Sequence, residues 1–338
     1  MTHLEWLCDL DLGFAAPVGL LSAAFSARVG DLDVTVHLPS LPTDPDAWYL
    51  AQPKVWGAAE PSDQWGMVLQ RRAGKAEAIT VSRLLLTAKV AGSEAEIHEA
   101  AQAIHGEREA WVSNLQTWLE IVTGQHLTPI GHPRTQLIGG PPIWYVSTDR
   151  SENKPITFPG TINITYPPPL IPAVTAELLA GCLCLAPQAQ PDLAWILLRD
   201  ARSLAAAGQH RRAVIDAATA AELAITRMMD ALLKNFDSGK REALRRKHQT
   251  LGSKIALLTK HGQPLADNLY ENLVARRNDA VHEGRAIGAG HCDAAIAAAA
   301  AVVELEYPLP AVLGGRRWPV QNSIDGKERD ATGEVRTN

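Results

Sequence analysis

Apolar and polar residues alternate along several stretches of the first half of the chain. The alternation is clear in residues 31–38 (DLDVTVHL) and 77–90 (EAITVSRLLLTAKV), and residues 143–148 and 160–166 show shorter versions of it. A period of two places every second side chain on one face of a strand. The pattern therefore predicts four strands in this half, each with one buried face.

One long helix is predicted between the second and third of these strands. Ser93 and Glu96 have the spacing of a capping box at its start, and Gly124 provides a stop. Large apolar side chains recur every seven residues inside it, at Ile97, Ile104, Trp111 and Trp118. A stripe with this spacing indicates a helix face that is buried against the rest of the domain.

The second half of the chain has the pattern of consecutive amphipathic helices. Short connections favour antiparallel packing of neighbouring helices into a bundle. Few apolar residues follow position 312, so we expect residues 313–338 to be a disordered tail. The predicted helices cover residues 191–208, 210–235, 239–250, 251–262, 264–284 and 291–309.

Composition divides the chain near residue 190. Seven of the nine tryptophans lie before this point, and proline-rich stretches at 166–172 and 186–191 are candidate linkers. A length of 338 residues also favours more than one domain. We therefore expect a mixed α/β domain at 1–188 and an all-α helical bundle at 189–312, which is an α+β domain followed by a bundle.

Charge and cysteine usage limit the class of protein. The net charge of −5 separates into −8 for residues 1–190, +2 for 191–312 and +1 for the tail, so the helical half is the better face for an anionic partner. The four cysteines lack zinc-like spacing and are expected to be structural thiols in a reducing compartment. Neither a signal peptide nor a membrane-spanning apolar run is recognisable, so we expect a cytoplasmic protein without a membrane partner.

Most motifs of enzyme chemistry are missing from the sequence. It contains no phosphate-binding loop, no dinucleotide fingerprint and no nucleophile elbow. His98-Glu99 begins like a zinc-protease helix, but Gln102 stands where the second histidine belongs. We therefore expect no metal and no cofactor.

The stretch ARRNDAVHEG (275–284) places several polar groups at the end of a predicted helix. Within it, Asn278 and His282 are one turn apart on an ideal α-helix, whereas Arg277 is about 140° away from His282. The three residues offer a bidentate cation, an orienting amide and a side chain that titrates near neutral pH. These groups suit metal-independent RNA cleavage, in which the 2′-hydroxyl attacks the adjacent phosphorus.

The helical half resembles HEPN domains, a family of helical bundles whose signature is an arginine, a polar residue, a short spacer and a histidine. Arg277, Asn278 and His282 fit this signature, and residues 207–225 resemble the family's early helix pair. The resemblance covers about 120 of 338 residues and does not extend to the N-terminal half. It implies a homodimer that joins two motifs, with ribonuclease activity in many members and non-catalytic binding or assembly in others.

The resemblance also implies roles for the three residues. His282 is expected to transfer protons, Arg277 to hold phosphate and Asn278 to position the substrate. The same groups could instead fix the helix end and stabilise a dimer. The charged neighbours are most simply solvated: Arg276, Asp279 and Glu283. The leading hypothesis is thus a HEPN-type endoribonuclease, a toxin or defence effector, with a non-catalytic interaction module as its alternative. A small-molecule sensor built on the tryptophan-rich half is a third.

Two further features bear on RNA as a partner. Residues 240–247 carry a run of cations that could follow a phosphate backbone or simply form a solvated helix face: Lys240, Arg241, Arg245, Arg246 and Lys247. Glu222 lies among alanines and leucines on a packing helix, where a carboxylate is costly unless it is paired. Arg277, Arg227 and solvent are its candidate partners.

Overall fold

The structure is a computed structural model that describes residues 2–55, 65–72, 74–128, 130 and 173–313, except 189 and 284, together with four short strands between 136 and 164. The predicted linker at 166–172 and the predicted tail, apart from Leu313, lie outside the described residues. The described part contains an antiparallel sheet in the first half and consecutive helices in the second. The α+β class expected from the sequence is therefore confirmed.

The main sheet has five antiparallel strands: β1 (Thr2–Pro17), β2 (Ala24–Val29), β3 (Leu32–His37), β4 (Gly66–Arg72) and β5 (Lys75–Val90). The order is β1-β5-β3-β2, and β4 also pairs with β5. β3 and β5 confirm two of the predicted strands. The centre of the sheet is apolar: Val36 of β3 is fully buried, and so are three consecutive residues of β5, Leu84, Leu85 and Leu86.

Four short strands complete the first half as two separate pairs. Their bounds are β6 (Gln136–Ile138), β7 (Ile143–Val146), β8 (Asn153–Ile156) and β9 (Ile162–Ile164). β6 pairs with β9 and β7 pairs with β8, both antiparallel. β7 and β9 confirm the two remaining predicted strands, with shorter bounds.

The long helix α1 (Glu94–Thr123) begins and ends as predicted. Ser93 and Glu96 form a reciprocal capping box, and Gly124 ends the helix in the left-handed conformation. Trp111, Leu115 and Trp118 are buried, whereas the first two turns are largely exposed. The apolar stripe thus contacts the core mainly through the second half of α1.

The helices of the second half are α2 (Ala176–Leu185), α3 (Leu193–Ala206), α4 (His210–Leu233), α5 (Ser238–Lys247), α6 (Leu251–Lys260), a composite segment from 270 to 283, and α8 (Ala289–Glu306). They confirm the predicted helices, and α2 is an additional one. α4 contacts α3, α6, α8 and the composite segment. It is therefore the central element of the helical half and fixes where the others lie.

A buried polar cluster joins α1 to α3. The Glu120 carboxylate is inaccessible and accepts hydrogen bonds from the backbone N–H groups of Leu127 and Thr128 at 2.7 and 2.8 Å. Arg199 Nη1 on α3 lies 3.4 Å from its Oε2. Burial raises the pKa of Glu120, and Arg199 and the N–H donors oppose that rise. The sheet-bearing half and the helical half thus meet through paired charges, and the predicted boundary at 188/189 stays a prediction.

The four cysteines are free thiols, and only Cys184 is exposed. Burial raises the pKa of Cys8 and of Cys292 to about 12. Both thiols are therefore protonated at neutral pH, as expected for cysteines that serve only in packing.

Candidate functional site at residues 277–282

The segment that carries the motif is not a regular α-helix. Residues Tyr270–Ala275 and Asp279–Glu283 form π-helical turns, and a short α-helical turn, α7 (Arg276–Asn278), lies between them. We call residues 270–283 the motif helix. Wide turns of this kind occur frequently at functional sites. The sequence analysis assumed a uniform α-helix here, and that assumption was wrong.

The wide turn brings Arg277 beside His282. Hydrogen bonding from residue i to i+5 adds one residue to each turn, so side chains five positions apart come into line. Arg277 Nη1 lies 3.2 Å from His282 Nε2 and donates to Asn278 Oδ1 at 3.4 Å. The three predicted site residues therefore meet around one guanidinium, although an ideal α-helix would separate Arg277 from His282.

This contact determines the protonation pattern of the imidazole. A guanidinium has only donors, so Nε2 of His282 must accept the hydrogen bond from Arg277. In the neutral ring, the proton then resides on Nδ1. His282 is exposed and Arg277 is half-buried, so the pair is accessible from solvent.

Three further arginines contact residues of the motif. Arg276 Nη1 lies 3.1 Å from the Asp279 carboxylate, and Arg285 Nη1 lies 3.7 Å from its other oxygen. Arg211, near the start of α4, donates from Nε to the carbonyl of Ala280 at 2.7 Å. Arg276 and Asp279 are therefore paired rather than merely solvated. Arg211 and Arg285 are contributors that the sequence reasoning missed, and the sole sequence signal for Arg211 is the basic run that begins α4.

Glu222 does not pair with Arg277 in the structure. Its Oε1 lies 2.9 Å from Nζ of Lys254 on α6, and the same ammonium donates to the hydroxyl of Thr226 at 3.0 Å. Arg227 instead pairs with Glu306 at 2.9 Å. The suggested supporting role of Glu222 at the motif is thus replaced by a contact that fastens α6 to α4.

The basic run on α5 divides into structural and exposed cations. Arg241 donates to the carbonyls of Leu233 and Phe236 at the end of α4, and Arg245 pairs with Asp230 at 2.9 Å. The remaining cations of the run, Lys240, Arg246 and Lys247, are exposed. Arg241 and Arg245 are therefore used first to hold α5 against α4.

α5 and the motif lie at opposite ends of α4. The motif contacts α4 at Arg211, and α5 contacts it from Asp230 onwards. At 1.5 Å per residue, these contact points are about 28 Å apart along the helix axis. Within one chain, α5 therefore does not border the motif.

Comparisons with protein-family models, curated proteins and solved structures found no match. The HEPN resemblance carried by the motif therefore stays a prediction. Across the described residues, no group of three or more His, Cys, Asp and Glu side chains is arranged to hold a metal ion. The described helices also include none with both the length and the apolar character needed to cross a bilayer.

Proposed function

We propose that this protein is a metal-independent endoribonuclease of the HEPN type, in which Arg277, Asn278 and His282 form the active site of a homodimer. The observation that carries the proposal is the 3.2 Å contact between Arg277 Nη1 and His282 Nε2 at an exposed position. A motif that served only to fix the helix end would direct these groups at backbone carbonyls. Arg211 makes such a contact at Ala280, and Arg277 contacts side chains of the motif instead.

Arg277 has two alternative partners in this mechanism. In the free protein its guanidinium occupies the lone pair of His282 Nε2. A substrate phosphate is a stronger acceptor for a guanidinium than a neutral imidazole, because its hydrogen bonds are charge-assisted on both sides. Phosphate binding therefore draws Arg277 away and leaves Nε2 free to act as a base. The base becomes available only when substrate is present.

The reaction breaks the RNA chain by internal transfer. His282 Nε2 removes the proton from the ribose 2′-hydroxyl, and the 2′-oxygen attacks the adjacent phosphorus. The bond from phosphorus to the 5′-oxygen breaks, and that oxygen takes up a proton. Arg277 stabilises the charge that develops on the phosphoryl oxygens, and Asn278 orients them. The products end in a 2′,3′-cyclic phosphate and a 5′-hydroxyl.

The leaving oxygen needs a proton donor in addition to the base. A second copy of the motif, placed across a two-fold axis, supplies a second histidine for this role. The proposal therefore requires that two chains join with their motif helices facing one another. Val281 within the motif and Tyr270 at the start of the motif helix are exposed apolar side chains available for such a contact.

The test is cleavage of labelled RNA in excess EDTA by the native protein and by the variants Arg277→Ala and His282→Ala. We expect products with 2′,3′-cyclic phosphate ends from the native protein, and loss of cleavage by a factor of at least about 10² in each variant. His98→Ala and Arg212→Ala are matched controls, because both residues are exposed and lie outside the motif. They should retain native activity.

Two results would contradict the proposal. One is cleavage that persists in His282→Ala. The other is a native dimer that cleaves none of a broad panel of RNAs, which would favour a non-catalytic interaction module. Circular dichroism and sedimentation of each variant establish that a loss of activity does not reflect loss of the fold or of the dimer.

A further inference from the structure

The helix α5 is exposed on all sides except the one that faces α4. None of its residues is buried, and five of its ten residues are Lys or Arg, against one acid, Glu242. Arg241, Leu244 and Arg245 lie on the side that faces α4. Lys240 and Lys247 are seven residues apart, so they lie two turns apart on a single face. This face carries charge without contributing to the core.

Further cations lie at the same end of the helical half. Lys234 ends α4, and Lys260 ends α6 next to His261. The rings of His261 and Phe236 meet edge to face at 5.7 Å, and the Lys240 ammonium lies 4.6 Å from the centre of the Phe236 ring. The end of α4, the start of α5 and the end of α6 therefore meet around Phe236 and share one surface. We call this surface the basic cap and define it by Lys234, Lys240, Arg246, Lys247 and Lys260.

Most of these cations lack an acidic partner. In the described part of the chain, no carboxylate lies within 4.0 Å of the ammonium groups of Lys234, Lys240, Lys247 or Lys260. Arg246 has a distant partner in Glu242, whose Oε1 lies 4.0 Å from Nε. Repulsion between like charges that lack counter-charges destabilises the free protein. Binding of an anionic polymer relieves this repulsion. The sequence contains this concentration of cations although the whole chain carries a net charge of −5.

We propose that the basic cap binds the phosphate backbone of single-stranded RNA at a distance from the site of cleavage. Exposed lysines suit this role, because they neutralise phosphates without reading bases. The cap lies about 28 Å along α4 from the motif. At about 3.4 Å per stacked nucleotide, an RNA that contacts both surfaces of one chain spans on the order of eight nucleotides. The inference takes RNA as the ligand from the proposed function, and it adds a minimum RNA length for tight binding.

The test measures RNA binding rather than cleavage. Fluorescence anisotropy is recorded with a labelled single-stranded RNA about twice the spanning length and with a dinucleotide, over a series of salt concentrations, in the His282→Ala background. The double variant Lys240→Gln/Lys247→Gln is compared with Lys75→Gln/Lys89→Gln. The control pair removes the same charge from exposed positions on β5.

We expect the cap variant to bind the long RNA roughly tenfold more weakly at low salt. The slope of the logarithm of the binding constant against the logarithm of salt concentration should fall in magnitude by about 1.4, which corresponds to two lost contacts with a single strand. The preference for the long RNA over the dinucleotide should largely disappear, while the control pair keeps it.

The inference is overturned if the cap variant and the control pair bind the long RNA with the same affinity and slope. The cap would then serve another partner, such as an acidic protein surface. Failure of the proposed function gives a different pattern, in which native protein binds long RNA through the cap and cleaves none of it.

Discussion

Arg277 and His282 are five residues apart and form a direct contact, with Nη1 of the arginine 3.2 Å from Nε2 of the histidine. The arginine can only donate, so the contact places the proton of the neutral imidazole on Nδ1. We predict that two-dimensional ¹H–¹⁵N spectra of His282, recorded with the ring neutral, show a protonated Nδ1 and an unprotonated Nε2. In Arg277→Ala, water competes for both nitrogens, and the ¹⁵N shifts of the two should move towards each other.

Arg276→Ala is the matched control for this measurement. It removes the neighbouring guanidinium, which contacts Asp279 and not the imidazole. The His282 shifts should therefore stay close to the native values. Shifts in Arg277→Ala that match the native protein would show that the arginine does not hold the ring in solution.

Addition of inorganic phosphate extends the same experiment to the mechanism. If phosphate draws Arg277 away from the ring, native His282 should acquire the shifts of Arg277→Ala as phosphate is added. The variant itself should respond much less.

Arg211 secures the turn that carries the motif. Its Nε donates to the carbonyl of Ala280 at 2.7 Å, and Ala280 lies between Asn278 and His282. We predict that Arg211→Gln lowers the free energy of unfolding by about 1 kcal/mol, less than is usual for a charged hydrogen bond because Arg211 is an exposed residue. Chemical denaturation measures the loss.

Hydrogen exchange gives the local readout for Arg211. The amide of Arg285 donates to the carbonyl of Asp279 at 3.2 Å, next to the carbonyl that Arg211 holds. This amide should exchange faster in Arg211→Gln. Arg212→Gln is the control, since Arg212 is exposed and bonds the Gln209 side chain. Equal exchange rates in the two variants would show that Arg211 does not fix the turn.

The elements predicted correctly are those whose local signals agree with their packing. β3 and β5 alternate clearly, and α1 carries both a capping box and a stop glycine. β1 was not predicted although apolar residues alternate from Leu4 to Leu10, and its register shift against β5 between Asp9 and Phe14 has no signal in the sequence. α2 escaped because its ten residues are apolar on nearly every side, so they show no helical period.

The sequence was sufficient to select the residues of the candidate site but not to predict how they are arranged. Arg277, Asn278 and His282 could be chosen because their side-chain chemistry is local information. The π-helical turn that joins Arg277 to His282 is not encoded by a recognisable short motif. Arg211 contacts the motif from another helix, and Lys254 likewise reaches Glu222 from another helix. These contacts depend on tertiary packing, so a local reading of the sequence could not predict them.

Gly124 is constrained both by its left-handed backbone and by a close neighbouring side chain, whereas Gly208 has only the backbone constraint. Both glycines adopt the left-handed conformation, with φ of +70° and +74°. A Cβ at Gly124 would lie 1.4 Å from Nη2 of the buried Arg202, whereas a Cβ at Gly208 would meet nothing within 4 Å. An alanine at position 124 must therefore displace a guanidinium that has little room to move. Alanine at position 208 faces only the backbone strain.

We predict that Gly208→Ala lowers the free energy of unfolding by about 1 kcal/mol, the cost of a left-handed non-glycine residue. Gly124→Ala should lower it by about 3 kcal/mol, because the displaced Arg202 also loses its buried surroundings. Chemical denaturation of the two variants and the native protein provides the comparison. Equal losses would mean that Arg202 moves aside without cost. A larger loss at Gly124 would show that the end of α1 and the Arg202 guanidinium of α3 are packed as one unit.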